Sequence, residues 1–242
     1  MKYPEDFINK IINGDCIEVM KEIPDNSIDL VVTSPPYNIG IQYDIHYDRM
    51  PWNEYYDWSR KWLKEIYRIL KPDGRFCLNH YFSLGSGERG GKIGKKRGNL
   101  QSEDTRQSPL MDLNWICTRE IGFKHHSVAI WDDSTISRNT AFGSWLSARA
   151  PYINSPFEGI LILYKERWKK DNPGISDIDK NLFLHLYKGW WKIGTTKGLT
   201  PANFPEKLPL FCIKLLSYVG DIVLDPFAGS GTTCVVAYRE KR

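Results

Sequence analysis

Leu224-Asp225-Pro226-Phe227-Ala228-Gly229-Ser230-Gly231-Thr232-Thr233 is the stretch that decides the fold. Gly220-Asp221 turns the chain into the β-forming run Ile222-Val223-Leu224-Asp225, and Thr232 onward starts a helix. A strand, a glycine-rich turn and a helix in that order make a ligand-binding arrangement. Gly229 and Gly231 let the backbone approach a ligand closely, and the helix N-terminus offers unpaired N–H groups. The same glycines also suit a plain tight β–α turn. A triphosphate-binding loop needs Lys after its last glycine, and Thr232 stands there. A dinucleotide fingerprint needs a third glycine where Cys234 stands. A formal G-x-G-x-x-G at Gly85–Gly90 runs into Gly91-Lys92-Ile93-Gly94-Lys95-Lys96, which is no helix.

Far upstream, Ile28-Asp29-Leu30-Val31-Val32-Thr33 is a second β-rich run, ended by Ser34-Pro35-Pro36-Tyr37. Trp52 to Leu70 carries apolar residues at helical spacing (Tyr55, Trp58, Trp62, Ile66, Ile69). It stops at Lys71-Pro72-Asp73-Gly74, a helix end and turn, and Arg75–Asn79 reads as a strand. Strand, helix, strand implies parallel pairing. Further on, the pattern predicts a helix over Leu110–Ile121, strands over Ser127–Trp131 and Gly159–Tyr164, and a helix over Phe204–Tyr218 with Pro205 in its first turn. Residues 84–108 read as a flexible basic loop, and Arg167–Lys197 as polar and irregular.

The 242 residues suit one large α/β domain, and 41% hydrophobic content supports a substantial core. There is no apolar run of membrane length and no signal-peptide pattern at the N-terminus. Five scattered cysteines without ligand spacing read as reduced thiols of a cytoplasmic protein, and no metal site is expected. The net charge of +4 is mild but uneven. Basic residues interleave with Trp168, Phe183, Tyr187, Trp190 and Trp191 between Lys165 and Lys197, which suits phosphates and bases. The same charges also suit a solvated Lys-rich surface.

The two motifs together resemble the permuted, beta-class DNA amino-methyltransferases of the TSPPY type. Val32-Thr33-Ser34-Pro35-Pro36-Tyr37 stands for their catalytic motif and Asp225–Thr233 for their cofactor motif. The resemblance covers nearly the whole chain, including Thr140–Trp145 and the Phe157–Lys165 strand. It is weakest over 84–108 and 168–198.

It implies a Rossmann-like methyltransferase fold: a mainly parallel seven-stranded sheet flanked by helices, with the catalytic half first and the cofactor half last. It implies S-adenosylmethionine as cofactor, held by Asp225, Phe227, Ala228, Gly229, Ser230 and Gly231. Asp15 and Cys16 of Gly14-Asp15-Cys16, a triplet that the family often carries on the strand before the catalytic motif, belong to the same site. So does Phe204, within Thr200–Pro205. Relatives commonly carry His where Thr200 stands. Taken alone, Asp15 also reads as a solvated turn residue.

The exocyclic amine of a base is a poor nucleophile, because its lone pair is delocalised into the ring. Two acceptors aimed at its N–H bonds favour a pyramidal, reactive nitrogen. Ser34 Oγ and the Pro35 carbonyl are the candidates, stiffened by Pro36, with Tyr37 to stack on the base. A base in duplex DNA must flip out to reach such a site. Ring-carbon methylation uses a cysteine after proline, and none of the five cysteines follows one.

Ser in the first motif position resembles the cytosine-N4 enzymes more than the adenine-N6 ones. The expectation is therefore a site-specific cytosine-N4 DNA methyltransferase of a restriction–modification system. Alternatives are an adenine-N6 enzyme, an RNA amino-methyltransferase, and an inactive nucleic-acid-binding relic. The target-reading insert is expected at 167–198, with Lys169, Lys170, Lys188 and Lys192 on the DNA. In relatives a further strand ending in an acidic, ribose-binding residue follows the last helix. Its absence before Arg242 raises the expectation of a truncated chain with weak cofactor binding, a homodimer, or a partner that supplies that strand.

Overall fold

A computed structural model describes residues 1–41, 48–82, 107–132, 144–149, 151, 157–194 and 205–242. The expected basic loop at 84–108, the Thr140–Trp145 stretch and the Thr200–Pro205 segment with Phe204 fall wholly or mostly outside them.

The described elements are α1 (Cys16–Lys21), β1 (Ile28–Thr33), α2 (Trp52–Ile69), β2 (Leu70–Tyr81), α3 (Pro109–Trp115), β3 (Lys124–Asp132), β4 (Phe157–Tyr164), α4 (Lys180–Leu186), β5 (Trp190–Lys192), α5 (Lys207–Leu216), β6 (Val223–Leu224) and α6 (Thr232–Arg239). The six strands form one sheet in the order β5-β3-β4-β2-β1-β6. β1 runs parallel to β2 and β6, β3 parallel to β5, and β4 antiparallel to both its neighbours. Five strands therefore point one way and β4 points back. The sheet is mainly parallel as expected, but six-stranded rather than seven-stranded among the described residues.

Period-2 alternation splits the interior into two cores. Ile28, Val31, Phe76, Leu78, Leu161 and Leu163 face α1, α2 and α3. Leu30, Val32, Cys77, Ile160, Ile162 and Trp131 face α5 and α6. β1 is buried along its whole length, as a strand covered on both faces must be. α2 follows the expected spacing, burying Tyr55, Trp62, Leu63, Ile66 and Ile69.

Several expectations shift. Lys71-Pro72-Asp73-Gly74 is not a free turn but a bulge inside the β1–β2 pairing: Ile28 pairs with Leu70, yet Leu30 pairs with Arg75. The Leu110–Ile121 helix is α3 continued by a π-helical turn over Ile116–Ile121 that ends at Gly122, whose φ of 114° suits glycine. α5 begins at Lys207, so Pro209 rather than Pro205 lies in its first turn. Residues 167–198 are not merely irregular. They supply α4, capped by Asp179 on the N–H groups of Asn181 and Leu182, and the edge strand β5. Trp191 of β5 is buried and donates its indole N–H to the Leu186 carbonyl.

Candidate active site

β1 and β6 are parallel neighbours, so their C-terminal ends place the Ser34–Tyr37 loop beside the Pro226–Gly231 loop. In open α/β sheets this is the end where ligands bind. Asp225 joins the two loops. Its Oδ1 accepts from Thr33 Oγ1 at 2.6 Å and from the Phe227 amide at 3.0 Å, and its Oδ2 accepts from Thr233 Oγ1 at 2.7 Å. Both oxygens are thus engaged by the protein, so Asp225 acts as a brace between the loops. Burial raises its pKa, and the Thr33 and Thr233 hydroxyls and the Phe227 amide oppose that rise.

The Ser34–Tyr37 loop is held from several sides. Tyr37 lies against His80, with ring centroids 4.3 Å apart, and meets Tyr81 edge-on. Its hydroxyl accepts from Ser34 Oγ at 2.8 Å and donates to Glu158 Oε2 at 2.7 Å. Asn79 Nδ2 donates both to that hydroxyl and, at 2.6 Å, to Glu158 Oε2. Burial and the neighbouring Glu158 carboxylate push the Tyr37 pKa well up.

Tyr55 donates its hydroxyl to the Pro36 carbonyl at 2.9 Å and lies 3.0 Å from His80 Nε2. Burial drops the His80 pKa to about 3, so it is neutral at pH 7. No backbone amide among the described residues donates to the carbonyl of Pro35, a buried residue. Beyond Tyr37, the buried Asp48 carboxylate accepts from the amides of Asn38, Ile39, Gly40 and Ile41 and fixes the loop's exit.

The glycine loop fits a small ligand with a polar end. Gly229 and Gly231 sit at φ of 53° and 81°. A Cβ on Gly231 would meet Ile11 Cδ1 at 3.0 Å, so the segment before Asp15 lies against this loop. The amides of Ala228 and Gly229 carry no hydrogen bond among the described residues, and α6 starts just beyond. Phe227 packs on Trp58 and Trp62, giving the loop an aromatic wall.

Asp15 spends its Oδ1 on capping α1, through the amides of Ile17 and Glu18. Relatives often carry the Gly14-Asp15-Cys16 triplet on a strand, whereas here residues 11–13 form none and Cys16 opens α1. Burial and the Asp15 charge push the Cys16 thiol up to about 12, so it stays protonated.

The expected DNA-contacting lysines divide. β4 runs backwards, so its C-terminal end, and the chain that follows, lie at the end of the sheet opposite the two loops. The Lys170 side chain is buried there and pairs with Asp221 at 2.9 Å and Asp29 at 3.5 Å, so it is engaged in a structural ion pair. Lys169 is exposed at the same far end, beside a cleft of about 520 Å³ lined by Arg75, Trp168, Lys170 and Tyr218. Lys192 sits at the C-terminal end of β5, on the side of the Ser34–Tyr37 loop, and Lys188 is exposed in the turn before it.

Glu158 was missed from sequence, although a lone carboxylate in the otherwise apolar strand Phe157–Tyr164 is a readable signal. Asn79 and His80 read more simply as a strand end.

A family model described as DNA methylase, for the N6/N4 enzymes, matches residues 28–242. The chain belongs to this family. Type II methyltransferase M.MjaVI of Methanocaldococcus jannaschii is 42% identical over 181 residues, 75% of this chain and 83% of that one. DNA adenine methyltransferase YhdJ of Escherichia coli K12 is 28% identical over 96% of this chain and 75% of its own length. Among solved structures, TTHA0409 of Thermus thermophilus in complex with S-adenosyl-L-methionine has a TM-score of 0.67 at 25% identity, covering 95% of this chain and 84% of that one. The PvuII DNA methyltransferase (cytosine-N4-specific) has a TM-score of 0.64 at 25% identity, covering 95% and 77%. As a family member the protein is a DNA methyltransferase.

Proposed function

We propose that this DNA methyltransferase is site-specific and methylates the exocyclic N4 amine of cytosine, flipped out of duplex DNA, within a type II restriction–modification system. S-adenosyl-L-methionine is the methyl donor. When bound, it supplies a methyl group activated on a positively charged sulfur. The glycine loop, with Ala228, Gly229, Ser230 and Gly231, and the Phe227 wall would hold it, with Asp15 and Cys16 at the same edge.

The observation that carries the reading is the direction of one hydrogen bond. Ser34 Oγ gives its hydrogen to Tyr37, so its lone pairs face outward as acceptors. Together with the Pro35 carbonyl they would form the pair of acceptors that turns an aromatic amine into a nucleophile. Tyr55, itself in contact with His80, holds the Pro36 carbonyl, which keeps its Pro35 neighbour in register. The ring of Tyr37 offers the flipped base a stacking surface. Lys192, at the C-terminal end of β5, and the exposed Lys188 before that strand are the candidate phosphate contacts.

Ser34 and the likeness to the PvuII enzyme favour cytosine, and the likeness to YhdJ keeps adenine as the alternative outcome of the test. Plasmid DNA from cells expressing the protein, digested to nucleosides and analysed by mass spectrometry, should contain N4-methylcytosine. N6-methyladenine in its place would overturn the base assignment.

A further inference from the structure

Methylating an amine creates a proton problem. As the amine nitrogen forms its bond to the methyl carbon, the carbon–sulfur bond breaks and its electron pair stays on sulfur. The nitrogen then carries a positive charge and must shed a proton. We infer that Ser34, Tyr37 and Glu158 form a proton relay that takes this proton into the sheet, with Glu158 as its terminus and Asn79 as the residue that sets its direction. The inference rests on the amino-methylation reading above.

The geometry makes the chain one-way. The Tyr37 oxygen accepts from both Ser34 Oγ and Asn79 Nδ2, which occupies its lone pairs. Its own hydrogen is left to point at Glu158 Oε2, 2.7 Å away. Asn79 also donates to that same Oε2, so its amide group holds the phenol and the carboxylate together. The balance follows from these contacts. The amine proton passes to Ser34 Oγ, the Ser34 hydrogen passes to the Tyr37 oxygen, and the Tyr37 hydrogen passes to Glu158. The base leaves neutral, Ser34 and Tyr37 end as they began, and Glu158 ends as a carboxylic acid. The chain runs in reverse to water once the product has left the half-exposed Ser34.

Glu158 suits this role by position. It stands at the N-terminal end of β4, the reversed strand, which brings a strand start to the end of the sheet where the other strands finish. Its residue pairs across the sheet with Tyr81 and Trp131. Glu158 acts on the base through Tyr37 and is a positioning and proton-holding residue.

Tyr37→Phe keeps the ring and removes the relay oxygen, and Glu158→Gln keeps an acceptor and removes the sink. Both should lower single-turnover methyl transfer about 10²-fold, the scale of lost general base catalysis, while dissociation constants for S-adenosylmethionine and DNA stay within about threefold. In mixtures of H2O and D2O the wild-type rate should curve with deuterium fraction, as several protons move together, and the Tyr37→Phe rate should be linear. Melting temperature and cofactor binding check that each variant is folded. A rate within about twofold of wild type in either variant overturns the relay. A wild-type protein that methylates no DNA would instead refute the amino-methylation reading.

Discussion

Asp29 and Asp225 are two buried aspartates, 6% and 7% exposed, that tie the same pair of strands from opposite ends. Asp29, near the start of β1, takes the Ile222 amide that leads into β6, and lies between Lys71 at 2.8 Å and Lys170 at 3.5 Å. Asp225, at the end of β6, reaches back to Thr33 and is held by two hydroxyls and an amide. The far end of the sheet neutralises its carboxylate with ammonium groups, and the buried Lys165 on the Asn26, Arg68 and Leu70 oxygens adds to that cationic end. The site end secures its strands with neutral donors. A lysine beside the glycine loop would repel a positively charged methyl donor, whereas hydroxyls brace the loops and leave the local field negative.

The largest expected effect separates these two braces. Asp225→Ala leaves Thr33, Thr233 and the Phe227 amide without their acceptor, so it should cost on the order of 3 kcal/mol in urea unfolding and weaken S-adenosylmethionine binding at least about tenfold. Lys170→Met keeps the stem and removes the charge. It should cost about 2 kcal/mol, the scale of a partly compensated buried pair, with cofactor affinity unchanged in calorimetry. Equal loss of cofactor binding in both variants would erase the distinction between the two ends.

A smaller effect tests the surface lysines. Replacing Lys188 and Lys192 together by Ala should reduce the slope of log affinity for DNA against log salt by roughly one to two, since each phosphate contact contributes about 0.9. Lys169→Ala, at the far end, should leave the slope unchanged. The reverse result would move the DNA to the far side of the sheet.

The smallest effect is in pH. The Asp225 pKa is raised by burial, so the fold takes up a proton there more readily than the unfolded chain. Its contribution to stability therefore improves as pH falls through the raised value toward the ordinary carboxylate range. Asp177 behaves oppositely: Arg242 hydrogen bonds, and those of Lys214, hold its pKa well down. Its contribution is present above the ordinary carboxylate pKa and lost as pH falls toward the depressed value. Melting temperatures of Asp225→Asn and Asp177→Asn, each subtracted from wild type between pH 3 and 7 on the ordinary carboxylate scale, should slope in opposite directions.

Both ligand loops were legible because their signals are local. Two glycines after a strand and two prolines after another punctuate the chain wherever they occur, and α2 declares itself by spacing. What escaped depended on distant partners or on direction. Glu158 matters through Tyr37, 121 residues away, and Asn79 through both. β5 is three residues long, too short for alternation to show. The ion pair of Lys170 was not legible because charge in a sequence does not say at which end of a sheet it lands; the reversal of β4 decided that. The Lys-Pro-Asp-Gly bulge looks like a turn until β1 is seen to pair on both sides of it.

The Thr33–Asp225 hydrogen bond closes a separation of 192 residues. On the ribosome, at about 5–20 residues per second, β1 and its serine loop emerge roughly 10–40 s before the strand that completes the pocket. During that interval the flank of β1 that β6 will cover has no partner, a sticky border on a nascent chain. Non-local closure of this kind also slows folding. The two loops are thus separated in time as well as in sequence: a growing chain presents the serine loop long before the glycine loop, and the two are braced together only when β6 docks.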